Sequence, residues 1–327
     1  MTAAPSLTPR GTTATGGKVR VLIVDDSVVI RHLLREALQI EMPQMDGLTV
    51  LRHIRKDYPR LRTVMFSTLT TRGAAATLEA LSLGADDYVA KASNGGKLDE
   101  SLASLRAELL PKIRQFFATA GTGRPHRFES RRQSAGCLKP RAVIIGVSTG
   151  GPNALARLIP DLPASFPVPV MVVQHMPPTF TRLLADRLST NGSLRVVEAE
   201  DAMEITPGRV IVARGDYHLR VRRSGSRATA ALDQGPQENS CRPSVDVLFR
   251  SAAETYRGAV LSVVLTGMGS DGLKGTEAVK AAAGYSIAQD RATSVVWGTP
   301  GAVAEAGLAD QILPLEAIGA ELVRLAG

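Results

Sequence analysis

Cysteine, tryptophan and histidine are scarce in this chain of 327 residues: Cys137 and Cys241 are the only cysteines, beside one tryptophan and five histidines. Two cysteines make neither a disulfide framework nor a cysteine-rich metal cluster, and they fit a reducing compartment. No apolar run is long enough to cross a bilayer. The longest, VPVMVV and AVLSVVLT, read as buried strands. The opening MTAAPSLTPRGTTATGGK has no apolar core, so it does not read as a secretory signal. The expectation is a cytoplasmic protein without membrane insertion.

What is present is an ordinary globular composition, 44% hydrophobic and 21% charged. The length suggests two domains with separate cores. A net charge of +8 raises the question of nucleic-acid binding. Its placement argues against that: between Thr119 and Arg141 six basic residues face only Glu129, in a stretch with Gly, Ser and Pro. Such a stretch reads as a solvated linker, and no nucleic-acid partner is expected. The chain divides into a disordered lead-in (1–17), a first domain (18–117), the basic linker (118–141) and a second domain (142–327).

Both domains alternate apolar strands with amphipathic helices, which implies α/β folds with parallel sheets. In the first, VRVLIV reads as a strand, and Ser27 caps a helix carrying Ile30, Leu33, Leu34, Ala37 and Leu38. RTVMFS and DDYVAK read as further strands, TRGAAATLEALSLGA as a helix ending at Gly84, and LDESLASLRAELLPKIRQFF as a last helix. In the second, AVIIGV, PVPVMVVQ and AVLSVVLT are strands, with helices from about Pro152 and Thr179. RVIVARGDYHLRVRR and ATAALDQG read as an antiparallel excursion.

Three strands of the second domain run directly into polar chemistry. AVIIGV meets Ser148-Thr149-Gly150-Gly151, PVMVVQ meets His175, and AVLSVVLT meets Gly267-Met268-Gly269-Ser270-Asp271. Ligands of open α/β sheets bind beyond the carboxyl ends of the strands. A serine there is a weak nucleophile until a base takes its proton; a histidine can be that base, and an aspartate can fix its tautomer. Amides around Thr149, Gly150 and Met268 could hold an oxyanion. Each piece has a plainer reading. G-x-S-x-G alone is a weak signal, Ser-Thr-Gly-Gly before a helix could cradle a phosphate, and Gly-Ser-Asp-Gly could be a turn. No Walker lysine and no G-x-G-x-x-G accompany the phosphate reading. Of the histidines His32, His53, His126, His175 and His218, only His175 directly follows a buried strand within the second domain.

The stretches GVSTGGP, VVQHMPPTFT, RPSVDVLF, LTGMGSDG and AQDRATSVVWGTP, in this order, resemble the catalytic domain of chemotaxis protein-glutamate methylesterases. The resemblance runs from Ala142 to about Leu315. It implies a doubly wound, mostly parallel sheet, with Ser148 as nucleophile, His175 as base, Asp271 as third member, and Thr149, Gly150 and Met268 lining the substrate or oxyanion site. It implies hydrolysis of glutamate methyl esters on methyl-accepting chemotaxis receptors, with deamidation of certain receptor glutamines. The partners implied are those receptors and the chemotaxis histidine kinase. An alternative is a catalytically idle or permanently inhibited protein that docks to the receptors or the kinase. The chain departs from the family pattern at Cys241, where a histidine is usual, at Gly298-Thr299-Pro300, and at Arg214.

The first domain resembles an incomplete, flavodoxin-like response-regulator receiver. Asp25 and Asp26 stand at the acid-pair position, Ser67 at the hydroxyl position and Lys91 at the lysine position, and EMPQMDG matches the loop after the phosphoacceptor. The phosphoacceptor itself is missing: Ile40 runs straight into Glu41 where roughly 30 residues, one βαβ-sized piece, should lie. Without that third carboxylate, Asp25 and Asp26 read as turn and capping acids rather than magnesium ligands. No cofactor and no metal are expected.

Overall fold

The computed structural model describes residues 47–59, 61–67, 69–90, 108–114, 116, 139–225 and 227–327. The lead-in, Asp25, Asp26, Lys91 and nearly all of the linker lie outside these residues. Among the described residues, no helix is long and apolar enough to cross a membrane.

The second domain is built on a seven-stranded sheet, all of whose pairings are parallel. Its order is β11-β10-β9-β3-β4-β6-β5. The central strands are β3 (Ala142–Val147), β4 (Val170–Gln174) and β9 (Val260–Val264), and every residue in them is buried. Near-continuous apolar strands are what a sheet covered on both faces requires. Successive side chains alternate between the two faces. Val143, Ile145 and Val147 pack towards α3 (Gly151–Leu158), α4 (Phe180–Asn191) and α8 (Leu315–Ala326). Ala142, Ile144, Met171 and Val173 pack into the other core with α5 (Val245–Tyr256). Each fully buried Ile, Leu or Val on these faces contributes about 1.5–3 kcal/mol.

The sheet is completed by β5 (Arg195–Glu198), β6 (Arg209–Val212), β10 (Tyr285–Gln289) and β11 (Gln311–Leu313), with α6 (Leu273–Ala281) and α7 (Thr299–Glu305) as connecting helices. One expectation needs correcting. RVIVA does not begin an antiparallel excursion: β6 pairs parallel with both β4 and β5. Among the described residues, the antiparallel hairpin is formed by β7 (His218–Ser224) and β8 (Arg227–Asp233). The burial pattern explains this. Val210, Ile211 and Val212 are all buried, as an inner strand demands, whereas β7 becomes exposed from Arg222 onwards.

In the first domain, β1 (Val64–Ser67) and β2 (Asp87–Ala90) pair in parallel, with α2 (Thr71–Ser82) between them. Thr70 caps α2 by accepting the Gly73 N–H at 3.1 Å. A helix not read from the sequence, α1 (Gly47–Asp57), buries Leu51 and Ile54. Residues 108–114 are helical as expected. Among the described residues of this domain, Leu51, Ala74, Leu78, Leu81 and Tyr88 belong to the same core cluster as Leu155, Phe180 and Leu184 of the second domain.

Candidate active site

Ser148 follows β3, His175 follows β4 and Asp271 lies seven residues beyond β9, and β3 pairs directly with both neighbours. That adjacency is what brings three distant residues to one sheet edge. At Ser148 the strand turns sharply: its N–H donates to Thr266 O at 3.0 Å, and its carbonyl accepts from Gly151 N–H at 2.8 Å. Gly150 sits at φ +79° with Val295 and Thr266 close against it, so a side chain there is both strained and crowded. Gly267 brings the β9 turn against the serine; a Cβ on it would lie 2.8 Å from Ser148 Cβ. Gln174, buried at the end of β4, donates to the Ser148 carbonyl at 3.0 Å and ties the first two loops together.

The Asp271 carboxylate is 2% exposed and is surrounded by donors. Oδ2 accepts from His175 Nε2 and from Val245 N–H, both at 2.8 Å. Oδ1 accepts from Asn239 Nδ2 and Ser244 Oγ at 2.8 Å and from Asp246 N–H at 3.0 Å. Two of these donors are free amides at the start of α5, where a helix favours an anion. This is the physical content of the RPSVD stretch, whose residues the sequence reading did not assign. Asp246 extends the same arrangement by accepting the Gly272 and Gly275 amides at 2.9 and 2.6 Å. Burial works against the charge on Asp271, but His175 and the α5 amides hold its pKa down at about 2. Burial also disfavours a charged imidazole, yet the bonds to Asp271 and Cys241 push His175 up to about 10.

With Nε2 donating to Asp271, the nitrogen left to accept a proton is Nδ1. It faces Cys241 Sγ at 3.6 Å. Among the described residues, Ser148 Oγ has no hydrogen-bond partner. Catalytic hydrogen bonds often tighten only when substrate is bound. The amides of Thr149, Gly150 and Met268 are likewise unpartnered among the described residues. His218, the other histidine of this domain, is buried, and its rings atoms serve Pro236 O and the Ser244 amide.

Ser148, Thr149, Gly150, His175 and Cys241 line one cavity of about 510 Å³. Asp271 stands behind His175, outside that lining, and Met268 is half-buried on the adjoining turn rather than in the cavity wall. The first domain contributes part of the remaining wall, with Leu81, Asp87, Tyr88, Glu108 and Lys112. Asp87, 5% exposed, accepts from Thr149 Oγ1 at 2.9 Å and pairs with Lys112 at 2.9 Å. Tyr88 stacks on Phe180 with ring centroids 5.0 Å apart, and Arg187 donates to the Leu78 carbonyl. Ser67 is turned inward, donating to Gly73 O at 3.0 Å.

The sequence profile described as CheB methylesterase matches residues 143–322, and that of the response regulator receiver domain matches residues 38–103. A protein-glutamate methylesterase/protein-glutamine glutaminase of Trichodesmium erythraeum is 44% identical, covering 95% of this chain and 99% of that protein. One of the same description from a Nocardioides species is 45% identical over 94% of this chain and 95% of its own length. The alignment with the first spans 350 positions, more than the 327 residues present here, so that relative carries residues with no counterpart in this chain. The crystal structure of the Thermotoga maritima CheB methylesterase catalytic domain superposes with a TM-score of 0.56 at 46% identity, covering 57% of this chain and 100% of that one.

Proposed function

This chain belongs to the CheB methylesterase family, and from that premise we propose that it hydrolyses glutamate methyl esters on methyl-accepting chemotaxis receptors through Ser148, His175 and Asp271. The observation that carries the residue assignment is the placement of Ser148 and of His175, whose Nε2 lies 2.8 Å from Asp271 Oδ2, at adjacent strand ends facing one cavity.

Ser148 Oγ attacks the ester carbonyl while His175 Nδ1 takes its proton. The oxygen that becomes negative is met by the amides left over from the turn at Thr149 and Gly150, with the Met268 amide on the opposite loop. The same imidazolium returns its proton to the departing methoxide, which leaves as methanol. Water then repeats the sequence on the acyl-serine and frees the carboxylate. An amide in place of the ester follows the same path and releases ammonia, which is how one site deamidates receptor glutamine as well. No step calls for a cofactor. The reading places the enzyme in the cytoplasm, where the receptors present their methylated segments.

The test is methanol release from membranes bearing methylated receptors, with the full chain and with a fragment spanning residues 139–327. Methanol from either supports the reading; none from both would overturn it. The fragment belongs in the test because a second reading has its own support. Asp87 and Lys112 stand over Thr149, so the first domain covers the site, as expected of an enzyme held off by its own receiver. Removing the Asp87 carboxylate breaks a charge-assisted hydrogen bond worth about 1.5–3 kcal/mol. Asp87→Ala should therefore raise methanol release by the full chain roughly 10-fold or more. An unchanged rate in a folded Asp87→Ala protein would show that this contact does not restrain the enzyme.

Phosphorylation should not relieve the restraint. No aspartate ends a third receiver strand, because Ile40 adjoins Glu41. Incubation with a small-molecule phosphodonor is expected to leave the intact mass unchanged. A stable phosphate adduct on the first domain would contradict this.

A further inference from the structure

The nitrogen that should serve as base is shared with a thiol, and the geometry of that pair points to a ligand no step above uses. Cys241 Sγ lies 3.6 Å from His175 Nδ1. A zinc ion sits about 2.0–2.1 Å from an imidazole nitrogen and about 2.3 Å from a thiolate sulfur. An ion at both distances from two donors 3.6 Å apart subtends an angle of about 110° between them, the angle of tetrahedral coordination. The second ring nitrogen is already fixed by Asp271 at 2.8 Å, the carboxylate-backed histidine that orients metal-binding imidazoles. Donor atoms of His175, Cys241 and Asp271 all lie within 4.8 Å of one another. Asp271 is in turn pinned by Ser244, Asn239 and the α5 amides, so the ring is held in place before any ion arrives. Both His175 and Cys241 open on the same cavity, which leaves the outer coordination positions to water or to a substrate oxygen.

We propose that Cys241 and His175 form a binding site for a thiophilic divalent cation of the zinc class, and that its occupation switches the esterase off. Binding forms a metal–sulfur and a metal–nitrogen bond. The thiol proton, and any proton on Nδ1, goes to solvent, while Asp271 keeps its bond to Nε2. The lone pair that would accept the Ser148 proton is then engaged in the metal bond. The binding half of the proposal stands on the geometry alone; the inhibitory half rests on the reading of His175 as the base. The thiolate of the site is supplied by cysteine at position 241.

The test uses the full chain, freed of metal by chelator, and cobalt(II) as a spectroscopic stand-in for zinc. One cobalt per chain is expected, with the near-ultraviolet charge-transfer band of a thiolate ligand. The band should survive Cys137→Ser and vanish in Cys241→Ser and Cys241→Ala, each checked for folding by circular dichroism. No band in the wild type, or one that persists without Cys241, would overturn the site. In parallel, zinc is titrated into the methanol-release assay, each protein being normalised to its own metal-free rate. Wild type should lose activity reversibly, with chelator restoring it, and Cys241→Ser should need at least about 10-fold more zinc. A cobalt band without any zinc inhibition would overturn the inhibitory half. If metal-free protein and fragment both release no methanol, the esterase reading fails, and the cobalt band still decides the site.

Discussion

Ser148→Ala is expected to abolish methanol release, lowering kcat on the order of 10⁴-fold or more while leaving the fold intact. The size follows from the division of labour at the site. A triad acts as a unit, so removing its nucleophile forfeits nearly all that base and aspartate contribute, and only binding and oxyanion stabilisation remain. The neutrality towards folding follows from the surroundings of the hydroxyl. Ser148 is half-buried and, among the described residues, its Oγ bonds nothing, while the turn is held by the backbone bonds to Thr266 and Gly151 and by Gln174. Alanine keeps all of these, so stability should change by no more than about 0.5 kcal/mol. Methanol release and thermal melting of the same preparation check both halves. A variant that keeps a tenth of the wild-type rate would exclude Ser148 as the nucleophile.

Asp271→Asn is expected to cost about 10⁴-fold in kcat, as loss of the carboxylate does in other Ser-His-Asp triads, and here also a good part of the stability. Each oxygen of Asp271 faces two or more donors, so whichever becomes an NH2 group is set against N–H or O–H groups. One unsatisfied buried donor costs about 1–3 kcal/mol. An amide turned towards His175 would favour the tautomer with its proton on Nδ1, which cannot act as base. The pH dependence carries the same signature. The active base is neutral imidazole, so the wild-type rate should climb with pH through the raised His175 value of about 10. In the variant the carboxylate no longer favours imidazolium, and the climb moves to lower pH.

Stability follows with opposite signs for the two partners. The raised pKa of His175 stabilises the fold below its ordinary 6.5, and that contribution disappears as pH rises through about 10. The lowered pKa of Asp271 stabilises above its ordinary 3.8, and that contribution disappears as pH falls through about 2. The melting-temperature gap between wild type and Asp271→Asn should therefore be widest between about pH 4 and 6.5 and narrow on either side. A gap that is flat across this range would show that the His175–Asp271 pair does not couple to folding.

The strands that place the site were legible because fully buried parallel strands are unbroken apolar runs, and β3, β4 and β9 each end on the residue types of a nucleophile, a base or a turn leading to an acid. Fold class and the convergence of Ser148 with His175 follow from that alone. The antiparallel reading of RVIVA failed because a short apolar run does not say which edge of the sheet it joins. Helix α1 went unread because it opens at Gly47, a poor helix former, directly after a loop motif. The role of Ser244, Val245 and Asp246 was hidden for a different reason. Their N–H and O–H groups reach Asp271 across 25–27 residues, and no local periodicity encodes a tertiary bond of that kind. The contact of Asp87 with Thr149 spans 62 residues and joins two domains, and DDYVA by itself reads only as a strand.

Leu78, Leu81 and Tyr88 of the first domain share one core with α3 and α4, and this sets what opening the cavity entails. A lid on a hinge swings away with its own interior intact. Here Leu78, Leu81 and Tyr88 would carry freshly wetted surface with them, and so would Phe180 beneath them. At about 25 cal/mol for each Å² of apolar area returned to water, that exposure adds to the cost of breaking the polar clasp at Asp87. Uncovering the site is thus closer to partial melting than to a rotation. A receptor that activates this enzyme would have to offer replacement apolar surface, taking the place of the departing domain as its substitute packing partner.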